Sequence, residues 1–429
     1  MPPESSVRRI AAIGAGRLVA AAARLRGGGT ALPGAVMQRI DPAVVKEALG
    51  SLPFGVVVVS GTNGKTTTTK IVVELLRRRG FRVFTNPSGS NLTQGIASEL
   101  LGALEWRGGL HADIAVLELD EGYAATFARA VPPRAALILN VFRDQLDRFG
   151  ELDSVTGKLR ELVASTNGPV VLNRDDGRVA RLEDVAADAR FFGIDPTLDA
   201  TFPSDDEMYG KARTRAGSAE TQLDVTLVDL PQPGRAVIAI GAVRHEVDLQ
   251  LPGAHNALNA VAALALVRAV SGTAHGTEGD LRALSRIEPA SGRGEQFHGP
   301  HGSVELLLVK NPAGFRMLLQ EAAPSDTTMV VINNHPADGK DASWLWDVVV
   351  DGLSGVAVAS GTRAHQLALR LQYAGIPPQR VIPDPDRALR EFLGAPATGR
   401  RRIYCSYTAM RAVRPQLVAW EQRYARLRP

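Results

Sequence analysis

The chain of 429 residues holds one cysteine, Cys405. A single thiol excludes an intrachain disulfide and a four-cysteine metal site, and it suits a reducing compartment. Cys405 reads as a small buried apolar residue. A strong charge of either sign is also lacking: 49 basic residues face 45 acidic ones, for a formal net charge of +4. That balance gives no argument for nucleic-acid binding. It is compatible with anionic substrates or with contact to an anionic membrane surface. No run of about 18 apolar residues occurs, so no transmembrane helix is expected. The amino-terminal "RRIAAIGAGRLVAAAARLRGGG" is interrupted by Arg17 and Arg24. It lacks a cleavage context and reads as an amphipathic helix rather than a signal peptide. Its "GAGRL" has no strand before it, which removes a dinucleotide-binding reading.

What is present is ordinary soluble composition, 45% hydrophobic and 22% charged. The length implies two or three domains. Residues 1–48 read as a short helical arm, with Asp41 and Pro42 placed to start its second helix. "GVVVVS", "FRVFTN", "DIAVLELD", "AALILN" and "GPVVLNRDD" are apolar runs alternating with helical stretches. That rhythm predicts a doubly wound, mostly parallel α/β sheet across a central domain of residues 49–291. Ligands gather beyond the carboxyl ends of such strands. Gly61–Thr66, Glu118–Glu121, Asn140–Asp147 and Asn173–Asp176 all fall there. Residues 194–234 read as an irregular insertion or β-rich excursion, and "RAVIAI" and "GAVRHEVDLQL" as paired antiparallel strands. "SGRGEQF" reads as a hinge-side loop. Residues 292–429 have a βα rhythm of their own, that of a second α/β domain.

The first of these clusters, "SGTNGKTTTTK", carries the chemistry. The common phosphate loop, G-x-x-x-x-G-K-[ST], would need glycine at position 59, where Val59 stands. Gly61 is the available glycine, three residues before Gly64. Glycine-rich backbone between a buried strand and a helix still leaves amide N–H groups free to grip phosphate. Lys65 would neutralise phosphate charge, and Thr66 or Thr67 would offer a hydroxyl to a magnesium ion. Glu118, Asp120 and Glu121 end a strand where phosphate-loop proteins commonly hold that ion. A solvated acidic turn is the structural alternative. Asn140, Asp144, Gln145 and Asp147 stand near the same edge, with helix capping by Asp144 as their plain alternative.

In order along the chain, "SGTNGKTTTT", "LELDE", "NVFRDQLDRFGE", "NRDD", "LPGAHNALNAVAAL", "SGRGE" and "VKNPAGF" resemble the signposts of the Mur ligase superfamily. Within it, "DQLDR", "KNPAGF", "DGKDASWLWD" and the abbreviated N-terminus are similar to the MurT family. The resemblance implies a Mur ligase-type central P-loop ATPase domain and a C-terminal Rossmann-like domain. It implies ATP-dependent amidation of the α-carboxyl of D-glutamate in the stem peptide of lipid II, through an acyl phosphate. Ammonia would come from a partner, a GatD-type glutamine amidotransferase. No nucleophilic Cys–His pair is apparent here, so that partner would be needed. The work would take place in the cytoplasm, at the inner face of the membrane.

Residue by residue, the resemblance implies ATP binding by Gly61, Thr62, Asn63, Gly64, Lys65, Thr66 and Thr67. Asn173 and Asp176 would stand near the nucleotide, His255, Asn256 and Asn259 on its adenine side, and Arg293 over the phosphates from the domain junction. Thr66 and Glu118 would hold Mg²⁺. Asn86, Ser88, Asn91, Lys310 and Asn311 would line the substrate side. Lys158 falls where several Mur ligases carry a carbamylated lysine. Its plain reading is an exposed helical lysine. Asp341, with Asp338 and Asp347 as alternatives, would complete the partner's catalytic triad, although Asp341 also suits helix capping. Trp344 and Trp346 read as packing residues. Many MurT chains carry a four-cysteine zinc ribbon after "NRDD". The stretch here has no cysteine, so structural zinc is not expected. Gln145 stands in place of the histidine of amino-acid-adding ligases. Two rivals remain: a stand-alone ligase of the folylpolyglutamate or poly-γ-glutamate synthetase type, and a non-catalytic nucleotide-binding scaffold for cell-wall enzymes.

Overall fold

The computed structural model describes residues 3–25, 31–86, 93–144, 152–208, 210, 212, 223–272, 276–300, 302–339, 341, 343–396 and 399–427. Ser88, Asn91, Gln145 and Asp147 lie outside these residues.

Three helices open the chain: α1 (Pro3–Leu25), α2 (Leu32–Ile40) and α3 (Val44–Gly50). Asp41 does not cap α3 directly. Its carboxylate accepts from Ala43 N–H and is held by the buried Arg9 guanidinium, so it ties α1 to the turn between α2 and α3.

The first sheet has nine strands. They are β1 (Val56–Ser60), β2 (Val83–Thr85), β3 (Ile114–Glu118), β4 (Ala135–Ile138), β5 (Pro169–Asn173), β6 (Asp188–Ile194), β7 (Val225–Gln232), β8 (Arg235–Ile240) and β9 (Val243–Asp248). Their spatial order is β2-β3-β1-β4-β5-β6-β7-β8-β9. The pairs from β2 to β7 are parallel, and β8 and β9 fold back antiparallel. All five residues of β1 are buried because helices cover both faces, which is why the strand reads as unbroken valine rather than as an alternation. The helices longer than one turn are α4 (Lys65–Arg78), α5 (Thr93–Ala103), α6 (Glu121–Ala130), α7 (Leu152–Ala164), α8 (Ala254–Ser271) and α9 (Thr277–Leu284). On one face α5, α6 and α7 share an apolar core with the N-terminal arm. On the other lie α4, α8 and α9. Helix α8 is apolar nearly all round, since it is enclosed by α4, the sheet and the β7–β9 extension.

Of the two readings of residues 194–234, irregular insertion or β-rich excursion, Val225–Gln232 follows the second: it is a strand that extends the sheet. One expectation is corrected. "RGEQF", within the expected hinge-side loop, begins the first strand of the second sheet. That sheet contains β10 (Arg293–Gly299), β11 (Gly302–Leu308), β12 (Thr327–Val331), β13 (Val358–Ser360), β14 (Arg380–Ile382) and β15 (Arg401–Cys405), in the order β10-β11-β15-β12-β13-β14. Only β10 is antiparallel within it. Helices α10 (Pro312–Leu319), α11 (Ala364–Tyr373), α12 (Pro385–Gly394) and α13 (Tyr407–Leu427) flank it, with a core on each face. Cys405 is buried at the end of β15, and burial pushes its thiol well above the usual range, so it is a packing residue rather than a nucleophile.

Candidate active site

Strands β3, β1, β4 and β5 are neighbours and parallel, so the loops after them open on one edge. The phosphate-type loop follows β1. Gly61 (φ +125°) and Gly64 (φ +88°) take backbone conformations that side chains disfavour. A Cβ on Gly64 would also strike the side-chain oxygen of Asn259 on α8. The loop is held from the segment after β4. Asn140 accepts from Asn63 N–H at 2.8 Å and donates to Asn63 C=O at 3.1 Å. Phe142 N–H donates to Thr62 Oγ1 at 3.1 Å. This anchoring lets a loop two residues shorter than the usual form keep its shape.

Lys65 begins α4 and is buried. Its Nζ donates to Gly61 C=O (2.5 Å), Thr62 C=O (3.2 Å) and the carboxylate of Glu121 (3.0 Å). Burial works against the ammonium charge, but Glu121, Asp120 and Glu118 together hold it above the usual lysine range. Burial likewise opposes the charge of Glu121, and Lys65 holds that carboxylate below its usual range. Thr66 Oγ1 donates to Glu118 Oε1 at 3.0 Å and accepts from Arg293 Nη2 at 3.0 Å. Asn86 does not face outward from β2. Its amide pairs with both the N–H and the C=O of Glu118 at 2.9 Å, which fixes that carboxylate's backbone.

The second sheet closes the site from above. Arg293, at the start of β10, reaches Thr66. Burial pulls its pKa below the usual arginine value, with Glu118 opposing. Asn311 caps α10 through Gly314 N–H and exchanges side-chain hydrogen bonds with Asn63 at 3.0 and 3.3 Å. Lys310 makes no hydrogen bond or ion pair with a described residue. Burial lowers its pKa, the charges of Lys65 and Arg293 add to that, and Asp144 and Glu118 oppose it. Burial raises the Asp144 carboxyl to about 6, against the pull of Lys310 and with Glu121 adding to the rise. Lys70, one turn and a half into α4, donates to the backbone carbonyls of Glu288 (2.8 Å) and Pro289 (3.2 Å), in the linker leading to Arg293.

Beside the loop is a cleft bounded by Phe142, Ile194, Leu258, Met317, Asn173 and His255. Its apolar walls suit a flat heterocycle, and its polar rim suits the groups attached to one. Asn173 is fixed by donating to Leu139 C=O and accepting from Asp175 N–H. Asp176 accepts from the N–H groups of Val141, Arg178 and Val179, yet burial still raises its pKa. His255 is held near 4 by burial, with Arg293 and Arg402 adding to the effect, so it is neutral at pH 7. Its Nδ1 is buried without a hydrogen-bond partner among the described residues. Asn256 is not part of the cleft wall. It donates to Pro252 C=O and accepts from Asn259, so it supports the wall from behind.

Most of the residues expected at the site therefore converge. Lys158 does not join them. It is half-buried on α7, without a hydrogen bond or ion pair to a described residue. The three candidate aspartates follow β12, and Asp338 sits at the carboxyl ends of β12 and β15, the edge of the second sheet that also carries Lys310 and Asn311. Asp338 is buried and accepts from Thr408 N–H (2.7 Å), Thr408 Oγ1 (2.5 Å) and His335 N–H (3.1 Å). Asp341 is exposed and accepts from Ser343 N–H and Oγ, which keep it below the usual carboxylate range. Asp347 is exposed. Trp344 packs, partly buried, against the second sheet's core, and Trp346, half exposed, packs edge-on against Tyr373. The sequence reading passed over the Glu121 contact with Lys65, the Lys70 latch and the apolar cleft walls. Glu121 had a signal, being a carboxylate at a strand's end. Phe142, Ile194 and Met317 had none, because apolar residues look alike until the chain is folded.

A magnesium-like ion fits this edge. Thr66 Oγ1 and the Glu118 carboxylate are hard oxygen donors already in contact, and such an ion takes its remaining ligands from phosphate and water. Among the described residues, no three His, Cys, Asp or Glu side chains converge as a metal cage.

Two family models match the chain: the Mur ligase middle domain over residues 59–267 and the MurT ligase C-terminal domain over residues 308–410. The subunit MurT of the lipid II isoglutaminyl synthase (glutamine-hydrolyzing) of Streptococcus pneumoniae (strain ATCC BAA-255 / R6) is 29% identical, over 83% of this chain and 84% of that one. Its counterpart in Staphylococcus aureus (strain N315) is 27% identical, over 81% and 84%. Among solved structures, the MurF ligase of Thermotoga maritima in complex with ADP shares the fold. Its TM-score is 0.66 at 19% identity, over 92% of this chain and 84% of that one. With both domains in this order, the chain belongs to the Mur ligase superfamily and is similar, within it, to the MurT subunits.

Proposed function

We propose that this chain is the ATP-using subunit of a lipid II isoglutaminyl synthase, forming a C–N bond at the α-carboxyl of D-glutamate in the stem peptide. The observation that carries this reading is the Lys65–Thr66–Glu118 cluster completed by Arg293 from the second sheet. The similarity to the MurT subunits and the match to the MurT ligase C-terminal model favour it over a folylpolyglutamate-type ligase.

The chemistry follows from charge. A carboxylate is a poor electrophile and an anion, and it must attack an anionic γ-phosphate. Lys65, Arg293 and Lys310 offset that charge, and the loop's backbone N–H groups grip the phosphates. Lys65 leaves Glu121 for phosphate when nucleotide enters. Thr66 and Glu118 would hold Mg²⁺, which would supply charge neutralisation for the phosphates. Asn86 fixes Glu118 from behind. The cleft bounded by His255, Leu258 and Asn173 takes the adenine. The acyl phosphate that forms has phosphate as its leaving group, and ammonia displaces it.

The chain offers no glutaminase nucleophile, because Cys405 is a buried packing residue. A GatD-type subunit therefore supplies ammonia. Asp341 is the aspartate offered to its triad, since it is exposed and bonded only to the neighbouring Ser343, whereas Asp338 is buried and tied to Thr408 and His335. The substrate is lipid-linked, so the enzyme works at the cytoplasmic face of the membrane. The test is to co-purify the chain with a GatD-type subunit and follow, by mass, conversion of the stem-peptide carboxyl to an amide. The expected result is conversion that needs ATP, glutamine and Lys65. Conversion undiminished in Lys65→Ala would overturn the reading.

A further inference from the structure

We propose that the outward face of α1 is a docking surface for an anionic membrane. Its inner face is occupied: Arg9, Ala12, Ile13 and Gly16 are buried toward the rest of the arm and α5. The outer face is apolar and bare. Val7 is 68% exposed, Ile10 41%, Leu18 74% and Leu25 90%. At about 100° per residue these four share one stripe, with Ala11, Gly14 and Ala21 between them. The same geometry puts Arg8 on one flank of the stripe and Arg17 and Arg24 on the other. Trp106, 56% exposed, lies beside Gly14, and the Arg17 guanidinium sits 4.5 Å above its ring.

Charge complementarity selects the occupant. Residues 1–40 contain six arginines, one glutamate, and no lysine or aspartate. The whole chain has a formal charge of only +4, so this arm carries the positive excess and the remainder is near neutral. An apolar stripe flanked by Arg8 on one side and by Arg17 and Arg24 on the other, with a tryptophan beside it, is the arrangement of a helix lying in a bilayer interface. Arg8 and Arg17 also donate to the carbonyls of Ile40 and Leu104, which fixes them at the stripe's edges. The apolar side chains enter the acyl boundary and the guanidinium groups meet anionic headgroups. Among the described residues no helix is long and apolar enough to cross a membrane, so the contact runs parallel to the surface. Its purpose rests on the lipid-linked substrate proposed above. Its physics does not.

The experiment uses the full chain with its amidotransferase partner, and two kinds of vesicle: phosphatidylglycerol mixed with phosphatidylcholine, and phosphatidylcholine alone. The expected result is co-sedimentation with the anionic vesicles that weakens with added salt and is at least tenfold weaker on the neutral ones. Leu18→Glu with Leu25→Glu should cut anionic-vesicle binding at least tenfold, and Arg8→Gln with Arg24→Gln should remove its salt dependence. Both variants should keep the parent's melting temperature and its amidation of a lipid-free stem peptide. No vesicle binding, or binding unchanged in the first variant, overturns the proposal. So does a change in assembly mass by light scattering, which would make the face a protein contact. If neither lipid-linked nor lipid-free substrate is amidated by the parent while vesicle binding behaves as stated, the proposed reaction fails and the surface stands.

Discussion

Lys65 spends its charge on Glu121 with both side chains almost fully enclosed. Breaking such a pair from one side leaves a buried, uncompensated charge. Glu121→Gln should therefore destabilise the nucleotide-free protein by about 3 kcal/mol or more. ATP should then raise the melting temperature further in the variant than in the parent, because phosphate replaces the missing carboxylate. An equal or smaller rise would sink the exchange of partners. His255 supplies a pH test. Its folded pKa of about 4 lies below the ordinary value of 6.5, so the native state resists a proton that the unfolded chain accepts. The contribution is fully present above pH 6.5 and is lost as pH falls toward 4. His255→Gln should therefore lose less stability than the parent between pH 7 and pH 5, read from melting curves. Parallel curves would refute the shift. At this scale the sequence was legible where a residue type is rare in its place. A lysine after a glycine turn stands out, whereas the cleft walls Phe142 and Met317 are ordinary apolar residues.

At the scale of elements, valine-rich β1 and alanine-rich α8 were readable because burial on all sides removes polar residues from the pattern. The strand Val225–Gln232 was less so. It is half exposed toward its end, bulged against β8, and rich in residues that also suit loops. The start of β10 was misread because Gly292 and Gly294, both at positive φ, look like a hinge in one dimension while β10 begins between them. Between β10 and the preceding helix, the linker is pinned to α4 by Lys70. Lys70→Ala touches neither phosphate loop nor cleft. It should nonetheless lower kcat several-fold with little change in KM for ATP, because Arg293 would be less well placed over Thr66. A KM effect alone would assign Lys70 to binding instead. Gly64→Ala is a harsher change. It strains a left-handed position by about 1–2 kcal/mol and strikes Asn259, so nucleotide binding by calorimetry should be lost while the fold persists.

The whole molecule is two sheets sharing one site, with the candidate aspartates in the segment that follows β12 of the second. Asp341→Asn should abolish glutamine-driven amidation in the complex and spare amidation driven by free ammonia. Asp338→Asn should instead lower the melting temperature, since it loosens the tie between Thr408 and the turn at His335. If Asp338→Asn alone removes glutamine use, the assignment reverses. The contrast between a buried, tied Asp338 and an exposed Asp341 was not legible in "ADGKDASWLWD", where the three aspartates look equivalent until their surroundings are seen.

The hydroxyl of Thr66 has a consequence at this scale. It is a single small group held by a carboxylate from one lobe and a guanidinium from the other. No side chain of either lobe alone completes it. Any displacement of the second lobe would take the guanidinium away and leave that hydroxyl with the carboxylate alone, so the completeness of the site reports how the two lobes sit.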